Sequence, residues 1–258
     1  MLYSTKDLHG FTIRATDGDL GSVRTCYFDN ASWVVRYLVV DTGNWLPGRR
    51  VLIAPECIGV SDPSQGVLSV HLTQEQIKNS PDIDSDKPVS KQQEMRLRQH
   101  YNWPAYWTMR DPLVAEVLTA RPGDVSAMPP AATEVIEVEP GDPHLHSMRE
   151  VTGYYIEATD ASIGHVEDFI IDSETWHVRY IVVDTRNWLP GGKKVLIAPN
   201  WINSIRWELS RVYVALSENE IKTSPEWHGS SEALSRDYET ELYSHYGRPT
   251  YWNSSHRL

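Results

Sequence analysis

Trp33 to Gly48 reads WVVRYLVVDTGNWLPG, and Trp176 to Gly191 reads WHVRYIVVDTRNWLPG, with three of the sixteen positions different. The offset of 143 residues persists through Gly10/Gly153, Asp17/Asp160 and Gly21/Gly164, so a whole module is duplicated. Within the stretch, Trp33, Val34, Val35, Tyr37, Leu38, Val39 and Val40 have strand composition, and Arg36 is the one charge before Asp41. A run apolar on both faces predicts a central, buried strand. Asp41-Thr42-Gly43-Asn44 supplies turn chemistry, and Pro47-Gly48 suits the two central positions of a type II turn. Val51 to Pro55 is the returning strand, matched by Val195 to Pro199. The loop is a long hairpin tip holding one indole in each copy.

Outward from this core, Phe11 to Ala15 and Gly21 to Asp29 form an opening hairpin around Asp17-Gly18-Asp19. Ile58 to Ser61 and Val67 to Leu72 add two shorter strands. About six short strands with Gly/Pro turns suggest a small barrel or closed sheet, which removes exposed edges. Ser4-Thr5-Lys6-Asp7 and Ser147-Met148-Arg149-Glu150 have the capping-box pattern, as do Thr73-Gln74-Glu75-Gln76 and Ser217-Glu218-Asn219-Glu220. The latter two open short helices stopped at Ser80-Pro81 and Ser224-Pro225. Ser90 and Ser235 start helices to about Tyr101 and Tyr246, which run into the aromatic tails His100 to Trp107 and His245 to Trp252. Tails this aromatic must bury themselves, on their own module or across the pair.

Residues 108–144 have no counterpart in the repeat and carry six prolines among scattered acids, which is linker composition. Val114 to Leu118 and Val135 to Val138 are apolar enough to pin it in places. The expected organisation is therefore a module at 1–107, a Pro-rich linker at 108–144, a second module at 145–252 and a loose tail at 253–258, with a mainly β, α+β fold. A net charge of −11 over 258 residues argues against nucleic acid or an anionic membrane surface as the main partner. No apolar run approaches the roughly 20 residues of a membrane helix, and no signal-peptide pattern opens the chain. A cytoplasmic location is the simplest reading. Cys26 faces Phe169 and Cys57 faces Trp201 in the repeat, so neither thiol is duplicated, and both read as small buried residues.

The hairpin ending in G-x-V, the V-R-Y-x-V-V-D-T strand, the W-L-P-G turn and the K/R-V-L-I-A-P strand resemble the PRC-barrel family. That family includes the cytoplasmic domain of the photosynthetic reaction-centre H subunit and the C-terminal domain of RimM-type ribosome maturation factors. The resemblance covers nearly all of both modules and implies two repeated PRC-type β-barrels joined by the Pro-rich linker. It also implies a protein-docking or assembly scaffold without a common catalytic site. A tandem of this kind resembles a fused homodimer, with the two units packed about a pseudo-twofold axis. The partners implied are a protein, a peripheral contact with a photosynthetic or electron-transfer membrane complex, or a second copy of the chain.

The candidate residues divide into two sets. Trp45, Leu46, Trp188 and Leu189 are the docking candidates, because aromatic anchors dominate interface hot spots; the alternative is that each indole folds back as core. Asp41, Asp184, His100 and His245 are the repeated titratable candidates for an acid–base enzyme, against the commoner roles of turn-forming Asp and half-buried His. His144 and His146 stand at i, i+2 with no third ligand at metal spacing. The sequence has no G-x-S-x-G, P-loop or G-x-G-x-x-G. The expectation is a non-enzymatic protein with no cofactor, no metal and no catalytic residue.

Overall fold

The structure, a computed structural model, describes residues 2–62, 65–81, 89–107, 143–188, 191–229 and 234–252. Leu189, the tail 253–258 and most of the expected linker, with both of its apolar stretches, lie outside them. The fold is mainly β with six short helices among the described residues. In the first half, β1 (Leu2–Ser4) and α1 (Thr5–Leu8) precede β2 (Thr12–Ala15), β3 (Gly18–Asp29), β4 (Val34–Asp41) and β5 (Arg50–Ile53). Then come β6 (Ile58–Asp62), β7 (Val67–Val70), α2 (Gln74–Lys78), β8 (Val89–Ser90) and α3 (Lys91–Tyr101). The second half repeats the plan with β9 (Pro143–Ser147), α4 (Met148–Val151), β10 (Tyr155–Glu157), β11 (Ser162–Asp172), β12 (Val178–Asp184) and β13 (Lys194–Ile197). It closes with β14 (Ile202–Arg206), β15 (Arg211–Val214), α5 (Glu218–Thr223) and α6 (Arg236–His245).

Two mixed sheets result, ordered β5-β4-β3-β2-β7-β6 and β13-β12-β11-β10-β15-β14. The two orders are the same under the repeat, and in each the pairs β2–β7 and β10–β15 are parallel. The core strands β4 and β12 lie inside their sheets and are buried along most of their length, as their apolar runs require. The sheets are open, which corrects the expectation of closed barrels. One edge of each sheet is met by the chain that follows a short helix: Trp227 donates its backbone N–H to Lys194 O on β13 at 2.8 Å, and the Arg49 guanidinium beside β5 bonds the carbonyls of Lys78 and Ser80. The chain leaving α2 and α5 thus shields the edge that closure would have removed.

The halves exchange their first strands. β1 pairs antiparallel with β11, Leu2 opposite Asp172, Tyr3 opposite Ile171 and Ser4 opposite Ile170. β9 pairs with β3 in the equivalent register, Leu145 opposite Asp29, His146 opposite Phe28 and Ser147 opposite Tyr27. Pro143 and His144, expected in the linker, belong to this exchanged strand. Between the halves, Val34 bridges His177, its own counterpart in the repeat. Val35 N–H donates to Trp176 O at 2.8 Å and Val178 N–H to Trp33 O at 2.8 Å. A residue paired with its repeat equivalent places a local pseudo-twofold axis at this bridge.

The exchange also alters two of the expected caps. Thr73, Ser90 and Ser217 make full capping boxes with Gln76, Gln93 and Glu220. Ser4 instead accepts from Lys6 N–H and donates its hydroxyl to Asp168, and Ser147 makes no side-chain cap bond because its hydroxyl faces Thr25 at 3.4 Å. Both serines face the opposite half rather than closing a box on their own helix.

Candidate functional site

The two W-L-P-G loops fold by the same Thr and Asp chemistry. Thr42 donates its hydroxyl to Leu46 O and Arg49 O at 2.7 Å each, and Thr185 donates to Lys193 O at 2.7 Å. Asp41 accepts from Gly43 N–H at 3.0 Å and Asp184 from Arg186 N–H at 2.9 Å. Arg49 N–H reaches Leu46 O across Pro47 and Gly48, the glycine at φ 76°, so the type II turn forms as expected.

The indoles they carry do different things. Trp45 is half-buried against the core, and its Nε1–H donates to Leu20 O at 2.6 Å. Trp188 is 40% exposed and meets the edge of Tyr155, itself 43% exposed, with ring centroids 5.5 Å apart. Leu46 stays partly covered beside Trp45. The two indoles are not placed alike: Trp188 is the more exposed, and Trp45 packs partly buried against the core. Tyr155, which the sequence reading passes over, stands where the first half has Thr12, and that exchange supplies the ring on which Trp188 rests.

Asp184 is held well below the usual carboxylate range, at about 2, chiefly by hydrogen bonds from the Arg186 guanidinium. In register it faces His165 on β11, not His245. His100 and His245 bond backbone carbonyls, Gln76 O at 2.9 Å and Glu220 O at 2.8 Å. Each imidazole thus ties the end of a long helix to the short helix before it, while each aspartate forms a turn. Cys26 and Cys57 are buried free thiols, both pushed up to about 12 by burial first of all.

A repeated cluster that the sequence reading missed sits under the helices. Glu94 of α3 and Glu239 of α6 are buried, at 0% and 2% exposure. Tyr37 donates to Glu94 Oε1 at 2.8 Å, and Tyr180 to Glu239 Oε1 at 2.7 Å. The tail tyrosines complete each site, Tyr106 on Glu94 Oε2 at 3.2 Å and Tyr251 on Glu239 Oε1 at 3.0 Å. Arg36 covers the Tyr106 ring at 3.7 Å and Arg179 the Tyr251 ring at 4.2 Å. Burial, reinforced by the neighbouring carboxylate in the first half and by Tyr243 and the carboxylate in the second, pushes the Tyr37 and Tyr180 hydroxyls up, so both stay donors. This is a latch from core strand through helix to tail; each tail packs, partly buried, mainly on its own half, and Tyr106 also meets His144 of the exchanged strand at 3.1 Å. His144 joins the first latch from the exchanged strand, its Nε2 3.0 Å from Glu94 Oε2. His146 stacks on Trp207 at 3.5 Å. The signal in the sequence was identity across copies at Tyr37/Tyr180, Glu94/Glu239 and Tyr106/Tyr251.

Two clefts of about 430 and 400 Å³ flank the pseudo-twofold, lined by equivalent residues that include Val34, Arg36, Glu56 and Trp176 in one and His177, Arg179, Asn200 and Trp33 in the other. None of Asp41, Asp184, His100 or His245 lines either. Among the described residues no group of three or more His, Cys, Asp or Glu is placed to hold a metal ion, and no helix is long and apolar enough to cross a membrane. Residues 146–218 match the family model of the PRC-barrel domain. No curated protein matches the chain.

Proposed function

We propose that the chain is a non-enzymatic, protein-binding adaptor or assembly scaffold made of two fused PRC-type units, and that its docking face centres on Trp188. The match at 146–218 supports a protein-interaction or assembly role, and the shared strand order of the two sheets extends that reading to the first half. The observation that carries the docking face is the exposed Trp188–Tyr155 pair. Three of the four exposed large hydrophobics among the described residues, Tyr155, Trp188 and Leu209, lie in the second half. An indole set on a second ring and framed by turn residues loses little entropy when it enters a partner's pocket.

Alanine variants separate docking from core. Trp188→Ala should weaken partner recovery by about thirtyfold, the effect of removing an aromatic hot spot worth about 2 kcal/mol, with little change in melting temperature. Trp45→Ala should lower the melting temperature and keep the partner, because it removes core packing and leaves Leu20 O without its donor. Measured by pull-down from the native host alongside thermal unfolding, the reverse pattern would overturn the assignment. Placement at a photosynthetic or electron-transfer membrane complex rests on the family resemblance alone, and recovery of the protein with washed membranes is its test.

A further inference from the structure

The two clefts beside the pseudo-twofold share a frame and differ in lining. Each is walled by a turn of one half, Ala31 to Trp33 or Ser173 to Trp176, and by the start of the core strand of the other half. Both indoles stand on strained backbone, Trp33 at φ 56° and Trp176 at φ 57°, a region that bulky residues rarely enter. Such outliers gather at ligand clamps and switches, where the surroundings hold them in place. Trp33 is held by its own N–H on Asp29 O and by Val178 N–H on its carbonyl, at 2.8 Å each.

The larger cleft carries Arg36 with the acids Glu56 and Glu174; at the equivalent positions of the smaller stand Arg179, Asn200 and Ala31, and His177 replaces Val34. Tyr243 and Tyr251 add rings to the smaller cleft, and among the described residues no acid lines it. Its guanidinium is neutralised: Arg179 gives Asp172 Oδ2 two hydrogen bonds, at 3.1 and 2.6 Å, and lies 4.2 Å over the Tyr251 ring. His177 turns Nδ1 to Thr175 O at 3.2 Å. Because a carbonyl only accepts, that nitrogen carries the proton, and in the neutral ring Nε2 keeps its lone pair. Burial first, then the Arg179 charge, holds this imidazole below the ordinary value of about 6.5, so it is neutral near pH 7. Arg36 adds to the lowering, while the Thr175 carbonyl and Asp172 oppose it. Among the described residues nothing bonds Nε2, and the atom is not sealed from solvent. The smaller cleft thus offers aromatic walls and one unclaimed acceptor, with no unpaired charge.

We propose that the cleft of Trp33, His177, Asn200 and Tyr251 binds a neutral aromatic ring carrying an N–H donor, with the ring against the aromatic walls and the N–H on His177 Nε2. Its volume of about 400 Å³ and its place between two halves suit a small-molecule site. The probes are oxindole, a flat neutral bicycle with one N–H, and N-methyloxindole, the same ring system without that donor; benzoate is the charged control. The full chain is titrated with each by ligand-observed NMR, and thermal unfolding checks that every variant is folded. Oxindole should saturate one site, and N-methyloxindole should bind about tenfold more weakly, the effect of leaving one acceptor unpaired. With Arg179 neutralised by Asp172, benzoate should bind more weakly than oxindole. His177→Val copies the other cleft and should abolish the preference for oxindole over its methyl derivative, whereas His177→Gln retains a neutral acceptor and should retain the preference. Oxindole binding should weaken as pH falls below the ordinary imidazole value in wild type and stay level in His177→Gln, because a protonated imidazole has no acceptor to offer. Absence of saturable oxindole binding, equal affinities for the two bicycles in wild type, or a preference that survives in folded His177→Val would overturn the proposal.

Discussion

Glu239 is 2% exposed and receives Tyr180, Tyr251 and, at 3.0 Å, Arg236. A buried carboxylate that loses one donor keeps its desolvation penalty. Tyr180→Phe should therefore cost about 1–3 kcal/mol in urea unfolding, and Glu239→Gln combined with Tyr180→Phe should cost less than the two single changes added, since they share one network. A second residue-scale effect lies at Asp184. Its carboxyl titrates at about 2 in the folded chain, against about 4 for an unperturbed aspartate. A depressed folded value contributes stability above the unfolded value, and that contribution is lost as pH falls from about 4 toward 2. Arg186→Ala should move the Asp184 titration, followed by carboxyl NMR, up toward the ordinary range, and any stability gap from wild type at neutral pH should close as pH falls through that window. The first half has Gly43 at this position, so Asp41 has no equivalent partner.

At the scale of elements, the readings that succeed rest on local signals. The β-hairpins, the Pro47-Gly48 turn and the caps at Thr73, Ser90 and Ser217 are legible because each motif contains its own hydrogen-bond partners. The strand exchange is not legible: Leu2–Ser4 is three residues long, and its partner lies across the other module. Glu94 and Glu239 escape notice because helix carboxylates ordinarily face water, and only their repetition marks them. Trp45 and Trp188 sit in closely similar loops that differ at Gly43/Arg186 and by the extra Gly192, and Trp188 also meets a distant ring, Tyr155 in place of Thr12, which the loop sequence does not announce. Removing residues 2–4 should leave β12 paired to β11 but open the other edge at Ile170 to Asp172. Hydrogen exchange in the peptide spanning 168–172 should rise more than in β13, and equal protection in both chains would mean that β1 contributes nothing.

For the whole molecule, the reciprocal exchange and the Val34–His177 bridge describe a chain whose halves meet as two subunits would. Residues 143–252 alone lack β1 as a partner for β11 and lack β3 as a partner for β9. Expressed separately, this half should dimerise, with β9 of each copy taking the place of β1 on the other. Sedimentation or light scattering reads the outcome, and a stable, cooperatively unfolding monomer would count against the exchange as a stabilising contact.

The exchanged strands also order events during synthesis. A ribosome releases β3 long before β9, so the edge at Tyr27 to Asp29 waits for the whole 108–142 stretch to be translated, and β1 waits longer still for β11. Throughout that interval the nascent first half carries an open strand edge, the feature most prone to pair with a stranger. Neighbouring nascent chains on one message present the same edge at the same time, and the strand that fits it is identical in each. Slow translation between the halves therefore favours intertwined chains over single ones.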